Sequence, residues 1–275
     1  MSTYLSPVGF TPTQLEEVEQ LHEVTKLHPF HDRVYGQRIH DYLTSERAAL
    51  ETAANYKSYS ELEAIDLPHP ADETMNFQDL LSRRHSTRQF AAQDLTLSQL
   101  SGILHSCFAS RRAVSSIGEA ELKFRPYPSG GGLCPSEVYV VAQRVEGAPL
   151  CVTHYNSLEH KLEVIANAPF EHTIEEALND RENVLGTVSA IFLITSLLER
   201  TVVKYGYRGY RFALMEAGMI PLILDLSATA QGLGTLHWGG YYDELVNDLL
   251  GIDGVSETAT ACLLVGHRQS SLPAA

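Results

Sequence analysis

The chain has 275 residues, of which 44% are hydrophobic, so it is long enough to bury one large core or two modest ones. Its 34 acidic and 20 basic side chains give a formal net charge of −14, which argues against nonspecific binding to nucleic acid or anionic membranes, because attraction to phosphate needs a basic surface. The N-terminal sequence MSTYLSPVGFTPTQLEEVEQ lacks the basic start and apolar core of a signal peptide, and we expect a soluble cytoplasmic protein with no membrane partner.

The cysteines and histidines do not form a metal-binding or disulfide pattern. The four cysteines stand far apart without a CxxC pair, at Cys107, Cys134, Cys151 and Cys262, and we expect reduced thiols. The densest histidine cluster, His28 and His31, is interrupted by Pro29, and no second cluster offers the remaining ligands of a closed zinc site. We therefore expect no metal.

The N-terminal part of the chain is predicted to be a helical extension. Thr11–Pro12 is a typical helix start, with a capping residue followed by proline at the first helical position. A second helix is predicted over about residues 34–54. Prolines and acidic residues in 66–72 break regular structure and indicate a linker. We therefore predict an extension over residues 1–73, which could dock partners, and a second unit over residues 74–275.

The second unit mixes helices and strands without a regular alternation. Thr96 and Gln99 form the pattern of a capping box that begins a helix. A long helix is predicted from Tyr210 to about Gln231, ended by Gly232. Short apolar runs predict strands at 136–141, 152–155, 162–165, 190–194 and 261–265. This combination predicts an α+β fold.

Residues 84–88 concentrate groups that bind anions. They offer two cations, a hydroxyl and an imidazole, all of which can donate to a phosphate, and arginine can bind it with two hydrogen bonds. The same composition also suits a solvated basic helix end. The residues alone leave both interpretations open.

Two glycine-rich segments could approach a ligand. Pro128 and Ser129 precede three successive glycines, in a loop that would let a flat ligand contact the backbone, although a flexible surface loop is the alternative. The segment 232–241 follows a helix instead of joining a strand to one, so it is not the dinucleotide-binding fingerprint.

The pair Lys204–Tyr205 precedes the long helix. Val202 and Val203 favour an extended backbone and Gly206 a turn, so we expect irregular structure that lets both side chains reach one substrate. The ammonium beside the phenol is predicted to lower the pKa of Tyr205 from its reference of about 10 towards that of a usable base. A lysine stem packed beside an interfacial tyrosine is the alternative.

In chain order, these motifs resemble those of the nitroreductase-like FMN flavoproteins. Arg83–Phe90 looks like the FMN-phosphate motif, and 232–235 looks like the glycine turn after the long core helix. Residues 128–139, followed by His154–Tyr155, are similar to the azoline dehydrogenases of thiazole/oxazole-modified peptide pathways, of the streptolysin and microcin types. Residues 204–216 resemble the Lys-Tyr segment of the microcin branch.

This resemblance covers about residues 76–268 and implies a central mixed or antiparallel sheet flanked by helices, in a homodimer with sites formed by both chains. It implies Lys204 and Tyr205 as catalytic residues. The FMN-binding residues that it implies are Arg84, His85, Ser86 and Arg88 at the phosphate and ribityl chain, Pro128, Ser129, Gly130 and Gly131 against the ring, Gly239 and Gly240 near flavin N5, Gly232 and Gly234 less directly, and Arg268 as a second phosphate partner.

The activity implied is the FMN-dependent oxidation of thiazolines and oxazolines in a precursor peptide to thiazoles and oxazoles, during maturation of an antibiotic or toxin. FMN would accept a hydride and Tyr205 would remove the proton with help from Lys204, or the two roles would be exchanged. The implied partners are the cyclodehydratase and peptide-binding subunits of a synthetase. Two alternatives are an NAD(P)H-dependent nitro- or quinone reductase of the same fold and a flavin-free scaffold subunit.

Overall fold

The N-terminal part of the chain forms three short helices. The computed structural model describes residues 12–54, 56–70, 75–109, 112–117, 120–170 and 172–269. The helices are α1 (Pro12–Val24), α2 (Asp32–Thr44) and α3 (Glu46–Ala53). The single helix expected over residues 34–54 is divided at Ser45, because its hydroxyl accepts a hydrogen bond from Ala48 N and begins α3 as an N-cap. Thr11, the expected cap of α1, lies outside the described residues.

Residues 56–70 are not helical and contribute one strand to the central sheet. Strand β1 (Ala64–Asp66) is an edge strand of that sheet. Ser58 Oγ donates to Glu163 Oε1 over 2.9 Å, and Tyr59 N donates to Glu163 Oε2 over 2.8 Å. The expectation of a helical segment reaching residue 73 is therefore wrong for this stretch, because a buried carboxylate draws its backbone onto the sheet.

The remaining elements follow the predicted mixture of helices and strands. They are α4 (Phe77–Arg83), β2 (Phe90–Ala91), α5 (Leu97–Phe108), β3 (Arg112–Ile117), β4 (Ala120–Phe124), β5 (Ser136–Ala142), β6 (Cys151–Asn156), β7 (Lys161–Asn167), α6 (Ile174–Ala177), β8 (Ala190–Leu197), α7 (Glu199–Tyr205), α8 (Arg208–Ala230), β9 (Gly234–His237), α9 (Asp243–Leu250) and β10 (Glu257–Arg268). The capping box of Thr96 and Gln99 begins α5, as predicted.

One antiparallel sheet forms the centre of the fold. Within the described ranges it has eight strands in the order β1-β7-β6-β5-β8-β10-β2, with β9 also paired to β10. One face carries α5 and α8, through residues such as Leu104 and Leu224, and the other carries α6 and α9, through Ile174 and Val246. Strands β5 and β8 are buried along almost their whole length, which explains their continuous apolar sequences.

Helix α8 is the central helix of the domain. It has the length and the mean hydropathy, 1.4, of a membrane span, but 50% of its most apolar window is buried inside the protein. Its side chains Ile220 and Leu224 pack under the sheet. Its first turns, at Phe212, and its later turns, at Asp225, contact two different groups of residues.

Candidate active site

Lys204 and Tyr205 form the last turn of α7. This helix ends at Gly206, which has a φ of 54°, and α8 begins two residues later. The expected extended backbone at Val202 and Val203 is wrong, since both are helical. Packing of α7 against α2 and α8 overrides the weak β preference of the two valines.

Both side chains of this pair meet residues 128–132, here called the glycine loop, at one point. Gly131 has a φ of 67°, and a β-carbon added to it would overlap the Tyr205 hydroxyl and lie 2.8 Å from Lys204 Nζ. A β-carbon added to Gly130 would lie 3.1 Å from Phe212, on the first turns of α8. The structure therefore brings together two segments that the sequence separates by more than 70 residues.

Burial shifts the pKa values of the pair in opposite directions. Lys204 is 5% exposed and forms no ion pair within the described ranges, and its Nζ lies 5.1 Å from the centre of the Tyr42 ring and 5.2 Å from that of Tyr205. Burial lowers the pKa of Lys204. Burial raises the pKa of Tyr205, and the neighbouring Tyr35 and Tyr42 raise it further. The expectation that Lys204 lowers the pKa of Tyr205 is wrong here, because the loss of water disfavours both charged forms.

A buried ionic network fixes α7 to the sheet. Arg200, one turn before Lys204, donates from Nη1 to Cys134 O over 2.9 Å and to Glu137 Oε1 over 2.6 Å. Burial alone would raise the pKa of Glu137, but His154 and Arg200 bring it to about 2. His154 Nε2 lies 3.2 Å from Glu137 Oε2, and its Nδ1 lies 3.0 Å from Glu163 Oε2.

A second buried acid, Glu216, accepts a hydrogen bond from the chain that follows the glycine loop. Ser136 N donates to Glu216 Oε1 over 3.3 Å, and the Ser129 hydroxyl accepts from Cys134 N over 2.9 Å. Burial raises the pKa of Glu216, against the opposing effect of its hydrogen bonds with Ser129 and Ser136. Both ends of the loop are therefore anchored, while Pro128 is exposed at its rim.

A second cluster contains residues expected at the phosphate. Arg268 donates from Nε to Leu233 O over 3.0 Å, and its Nη1 lies 3.4 Å from His85 Nδ1. Ser86 pairs with Thr235 through an isolated parallel bridge. This contact joins the segment before β2 to strand β9 and leaves His85 and Ser86 exposed to solvent.

Gly234 allows this close approach. A β-carbon at Gly234 would lie 2.7 Å from the Thr87 side chain and 2.9 Å from Arg268 Cγ. Thr87 N donates to Thr235 O over 2.7 Å, so the two backbones are in direct contact. The buried Thr87 Oγ1 has no hydrogen-bond partner among the described residues. The Thr87 hydroxyl is therefore a hydrogen-bonding group without a partner among the described residues, close to Arg268 and His85.

Asp225 organises this cluster and was not anticipated from the sequence. It is buried on α8, accepts from Thr235 Oγ1 over 2.6 Å, and lies 3.6 Å from Arg84 Nη1 and 3.3 Å from His237 Nε2. Burial would raise the pKa of Asp225, but its hydrogen bonds with His237 and Thr235 bring that pKa below its ordinary value. The available signal was a single acid within the apolar sequence MIPLILDLSATA.

Other expected residues lie further out. Arg88 is exposed, with no hydrogen bond or ion pair in the part of the chain that the structure describes. Gly232 ends α8 with a φ of 76°, and Gly239 and Gly240 are exposed after β9, where a β-carbon added to Gly239 would meet no atom within 4 Å. The single-chain structure does not bring these glycines into contact with the glycine loop.

The two clusters lie towards opposite ends of α8. Phe212 contacts the glycine loop and Asp225 contacts Arg84, and thirteen residues of α-helix separate them by about 20 Å. One chain therefore presents two separate clusters of side chains, one with the Lys204–Tyr205 pair and one with the cationic residues.

Comparison with known proteins identifies the family. The sequence profile of the nitroreductase family matches residues 81–267. A protein of Methanocaldococcus jannaschii named as a nitroreductase is 30% identical over 190 residues, which cover 69% of this chain and 91% of that protein. The microcin B17-processing protein McbC of Escherichia coli is 34% identical over 133 residues, which cover 47% of this chain and 49% of McbC, so that this match spans about half of that relative.

A solved structure gives the same fold. The chain resembles a subunit of the Escherichia coli microcin synthetase McbBCD complex with truncated pro-MccB17 bound, with a TM-score of 0.58, 23% identity, and coverage of 96% of this chain and 100% of that subunit. The predicted nitroreductase-like α+β fold is confirmed. The family match extends over most of the chain, and the chain therefore belongs to the nitroreductase family of oxidoreductases.

Proposed function

We propose that this chain is an FMN-dependent azoline dehydrogenase, which oxidises thiazolines and oxazolines of a ribosomally made peptide to thiazoles and oxazoles as a subunit of a synthetase. The observation that carries this proposal is the convergence of Lys204 and Tyr205 on the backbone of Gly131. A reductase fed by a nicotinamide cofactor has no need of a buried lysine base beside the ring-binding loop. The similarity to McbC, a microcin-processing protein, supports the same choice.

The exposed cluster fits the phosphate end of FMN. Arg84 and Arg268 offer guanidinium donors, His85 an imidazole and Ser86 a hydroxyl, which are the groups that bind phosphate in proteins. The buried Thr87 Oγ1, without a partner among the described residues, supplies one more donor at the same place. We assign these residues to the phosphate and the backbone of Ser129 to Gly131 to the flavin ring.

The proposed reaction removes a hydride and a proton from adjacent ring atoms of the azoline. Bound FMN supplies the hydride acceptor, and dioxygen is the simplest oxidant to regenerate it. Lys204 is our candidate base, because burial lowers its pKa and favours the neutral amine that can accept a proton. Tyr205 keeps its proton, because its pKa is raised, and its hydroxyl can donate a hydrogen bond that orients the ring. This assignment exchanges the two roles first expected from the sequence.

The test is oxidation of an azoline peptide by the FMN-loaded protein and its Lys204→Ala, Tyr205→Ala double variant. We expect the wild type to form azoles, detected by a mass loss of two hydrogens per ring, and the double variant to bind FMN with unchanged absorbance but form none. Retained azole formation in the double variant would remove both residues from the mechanism.

An NAD(P)H-dependent nitro- or quinone reductase is the second candidate, favoured by the similarity to the archaeal nitroreductase over 91% of its length. Rapid bleaching of bound flavin by NADPH, without oxidation of any azoline peptide, would select it. A purified protein that is colourless and takes up no FMN would instead select a scaffold role.

We also propose that the active site is completed in a homodimer through α8. Leu214, Met215, Met219 and Leu222 are between 37% and 49% exposed on this helix, and the intervening Gly218 has open space beside it. A two-fold axis near Gly218 would pair α8 with its copy in antiparallel orientation. The Asp225 end of one chain would then lie beside the Phe212 end of the other, which would bring the two clusters together in one site.

The N-terminal extension is our candidate surface for the cyclodehydratase and peptide-binding subunits. Apolar side chains of α1 are exposed at helical spacing, at Leu15, Val18 and Leu21. A stripe of this kind on a helix commonly packs against another protein. Loss of co-purification with the other synthetase subunits in a Val18→Glu, Leu21→Glu variant, with FMN retained, is the expected result. Unchanged co-purification would exclude this surface.

A further inference from the structure

The N-terminal extension forms a cavity directly beside Tyr205. The cavity has a volume of about 920 Å³ and lies between the end of α1, the face of α2 and the junction of α7 with α8. Tyr205 and Gly206 line its inner side, and Tyr35 and Arg38 of α2 face them. Its volume is typical of sites for ligands much larger than one five-membered ring.

The cavity wall is cationic in a strongly acidic protein. It carries Arg38, Arg208 and Lys26 against a single acid, Glu23, which already pairs with Lys26. Neither arginine forms an ion pair within the described ranges, although the chain has a formal net charge of −14. Two arginines left without acidic partners in such a protein make the cavity a local attractor for anions.

The arginines are held in place by contacts other than ion pairs. A β-carbon added to Gly206 would lie 2.8 Å from Arg38 Nη1, so this guanidinium packs onto the turn that ends α7. The Arg208 guanidinium lies 5.9 Å from the centre of the Phe212 ring. The Tyr35 ring lies 6.4 Å from the Tyr205 ring, which makes the inner wall aromatic as well as cationic. A guanidinium positioned in this way can bind a carboxylate with two hydrogen bonds.

A third arginine, on α8, has a different role. Arg211 donates from Nε to Thr25 Oγ1 over 2.8 Å and from Nη2 to His22 O over 2.6 Å. It therefore fixes the end of α1 to α8 and is not among the residues that line the cavity. Arg38 and Arg208 are the two arginines of this wall available to a ligand.

We propose that this cavity binds a carboxylate-bearing segment of the peptide substrate, next to the ring that is oxidised. The proposal rests on the proposed function for its substrate class. It makes the extension part of the substrate site, with Arg38 and Arg208 as specificity-determining residues and Tyr35 and Tyr205 as the aromatic inner wall. Peptides with aspartate or glutamate beside the azoline are preferred over the corresponding amides.

The test measures binding separately from oxidation. Fluorescein-labelled peptides that already contain the azole, with glutamate, glutamine or lysine beside it, are titrated with the FMN-loaded protein by fluorescence anisotropy. We expect the glutamate peptide to bind most tightly, with a Kd that rises roughly tenfold in Arg38→Gln and in Arg208→Gln, the loss of about one charge-assisted hydrogen bond. The difference between the glutamate and glutamine peptides should shrink at high salt, because ions screen the attraction.

Arg181→Gln is the matched control, since Arg181 is an exposed arginine outside the cavity whose Nε donates to Asn179 Oδ1. It should leave every Kd unchanged. The charge reversal Arg208→Glu should shift the preference from the glutamate to the lysine peptide, which a merely misfolded variant would not do. Flavin absorbance and the melting temperature monitor folding in each case.

Equal binding of the glutamate and glutamine peptides to the wild type would overturn the proposal. It would also be overturned if NADPH displaced the glutamate peptide and Arg38→Gln left the Kd of that peptide unchanged. Arginine-dependent binding without oxidation of any azoline would retain the cavity and reject the proposed reaction. Oxidation of azolines without a preference for the glutamate peptide would retain the proposed reaction and reject the role of the cavity.

Discussion

The substitution Gly131→Ala probes the point at which the glycine loop meets Lys204 and Tyr205. Its β-carbon would lie 2.8 Å from Lys204 Nζ, whereas nonbonded carbon contacts are optimal at about 3.5–4.0 Å, so Nζ must move by about 1 Å. The Tyr205 hydroxyl must move as well, because the same methyl overlaps it. A misplacement of about 1 Å can cost about hundredfold in rate. We therefore expect a loss of about hundredfold in azole formation.

The backbone strain of this substitution has a control in the same chain. Gly131 has a φ of 67° and Gly251 one of 65°, and alanine at either position costs about 1 kcal/mol of stability because the left-handed conformation is strained. A β-carbon at Gly251, however, would meet no atom within 4 Å. Gly251→Ala should therefore lower the melting temperature and leave the rate unchanged.

The assay is single-turnover oxidation of an azoline peptide, followed by flavin absorbance and by mass, together with thermal unfolding of both variants. We expect backbone strain to destabilise both variants and only Gly131→Ala to lose activity. Similar rates in the two variants would refute the placement of the catalytic pair against Gly131.

Four further outcomes follow from the structure. Because the pKa of Lys204 is lowered and the neutral amine is the base, the pH–rate profile should rise with pH through an ionisation below the ordinary value of 10.5, and Lys204→Arg should abolish oxidation at every pH. Folding lowers the pKa of Glu137 from 4.5 to about 2, so its carboxylate contributes about 3 kcal/mol to the free energy of unfolding above pH 4.5. This contribution is lost as the pH falls towards 2. Urea unfolding of Glu137→Gln should therefore show lower stability at neutral pH and a weaker dependence of stability on pH. Asp225→Asn should raise the Kd for FMN roughly tenfold in a fluorescence titration, because Arg84 loses its charged partner. Met219→Glu should convert a dimer to a monomer in sedimentation velocity, because it buries a charge in the proposed interface.

Each of these outcomes has a clear contradiction. A rate independent of pH would exclude a lysine base, and a Glu137→Gln variant as stable as the wild type at neutral pH would exclude a net contribution from the buried network. An unchanged FMN affinity in Asp225→Asn would separate this acid from the phosphate cluster. A dimeric Met219→Glu variant would place the two-fold axis elsewhere.

Local patterns in the sequence were sufficient for much of the fold. The capping box at Thr96 and the apolar runs of β8 and β10 were readable because each depends on near neighbours or on burial of a whole strand. The secondary structure of segments that depend on distant residues could not be predicted from the sequence. The strand β1 forms beside buried Glu163, and Val202 and Val203 become helical through packing of α7, which no local propensity indicates.

The site divides in the same way. Residues that could bind a phosphate, approach a flat ring and transfer a proton were recognisable in the sequence, because those capacities belong to the side chains of the Arg84 and Lys204 motifs and to the glycines. The folded chain alone shows that Lys204 and Tyr205 meet at Gly131, that Asp225 lies 3.6 Å from Arg84, and that the two clusters lie about 20 Å apart along α8. The directions of the pKa shifts of Lys204 and Tyr205 also depend on the fold, because they follow from burial, and burial is a property of the packed chain and not of the local sequence.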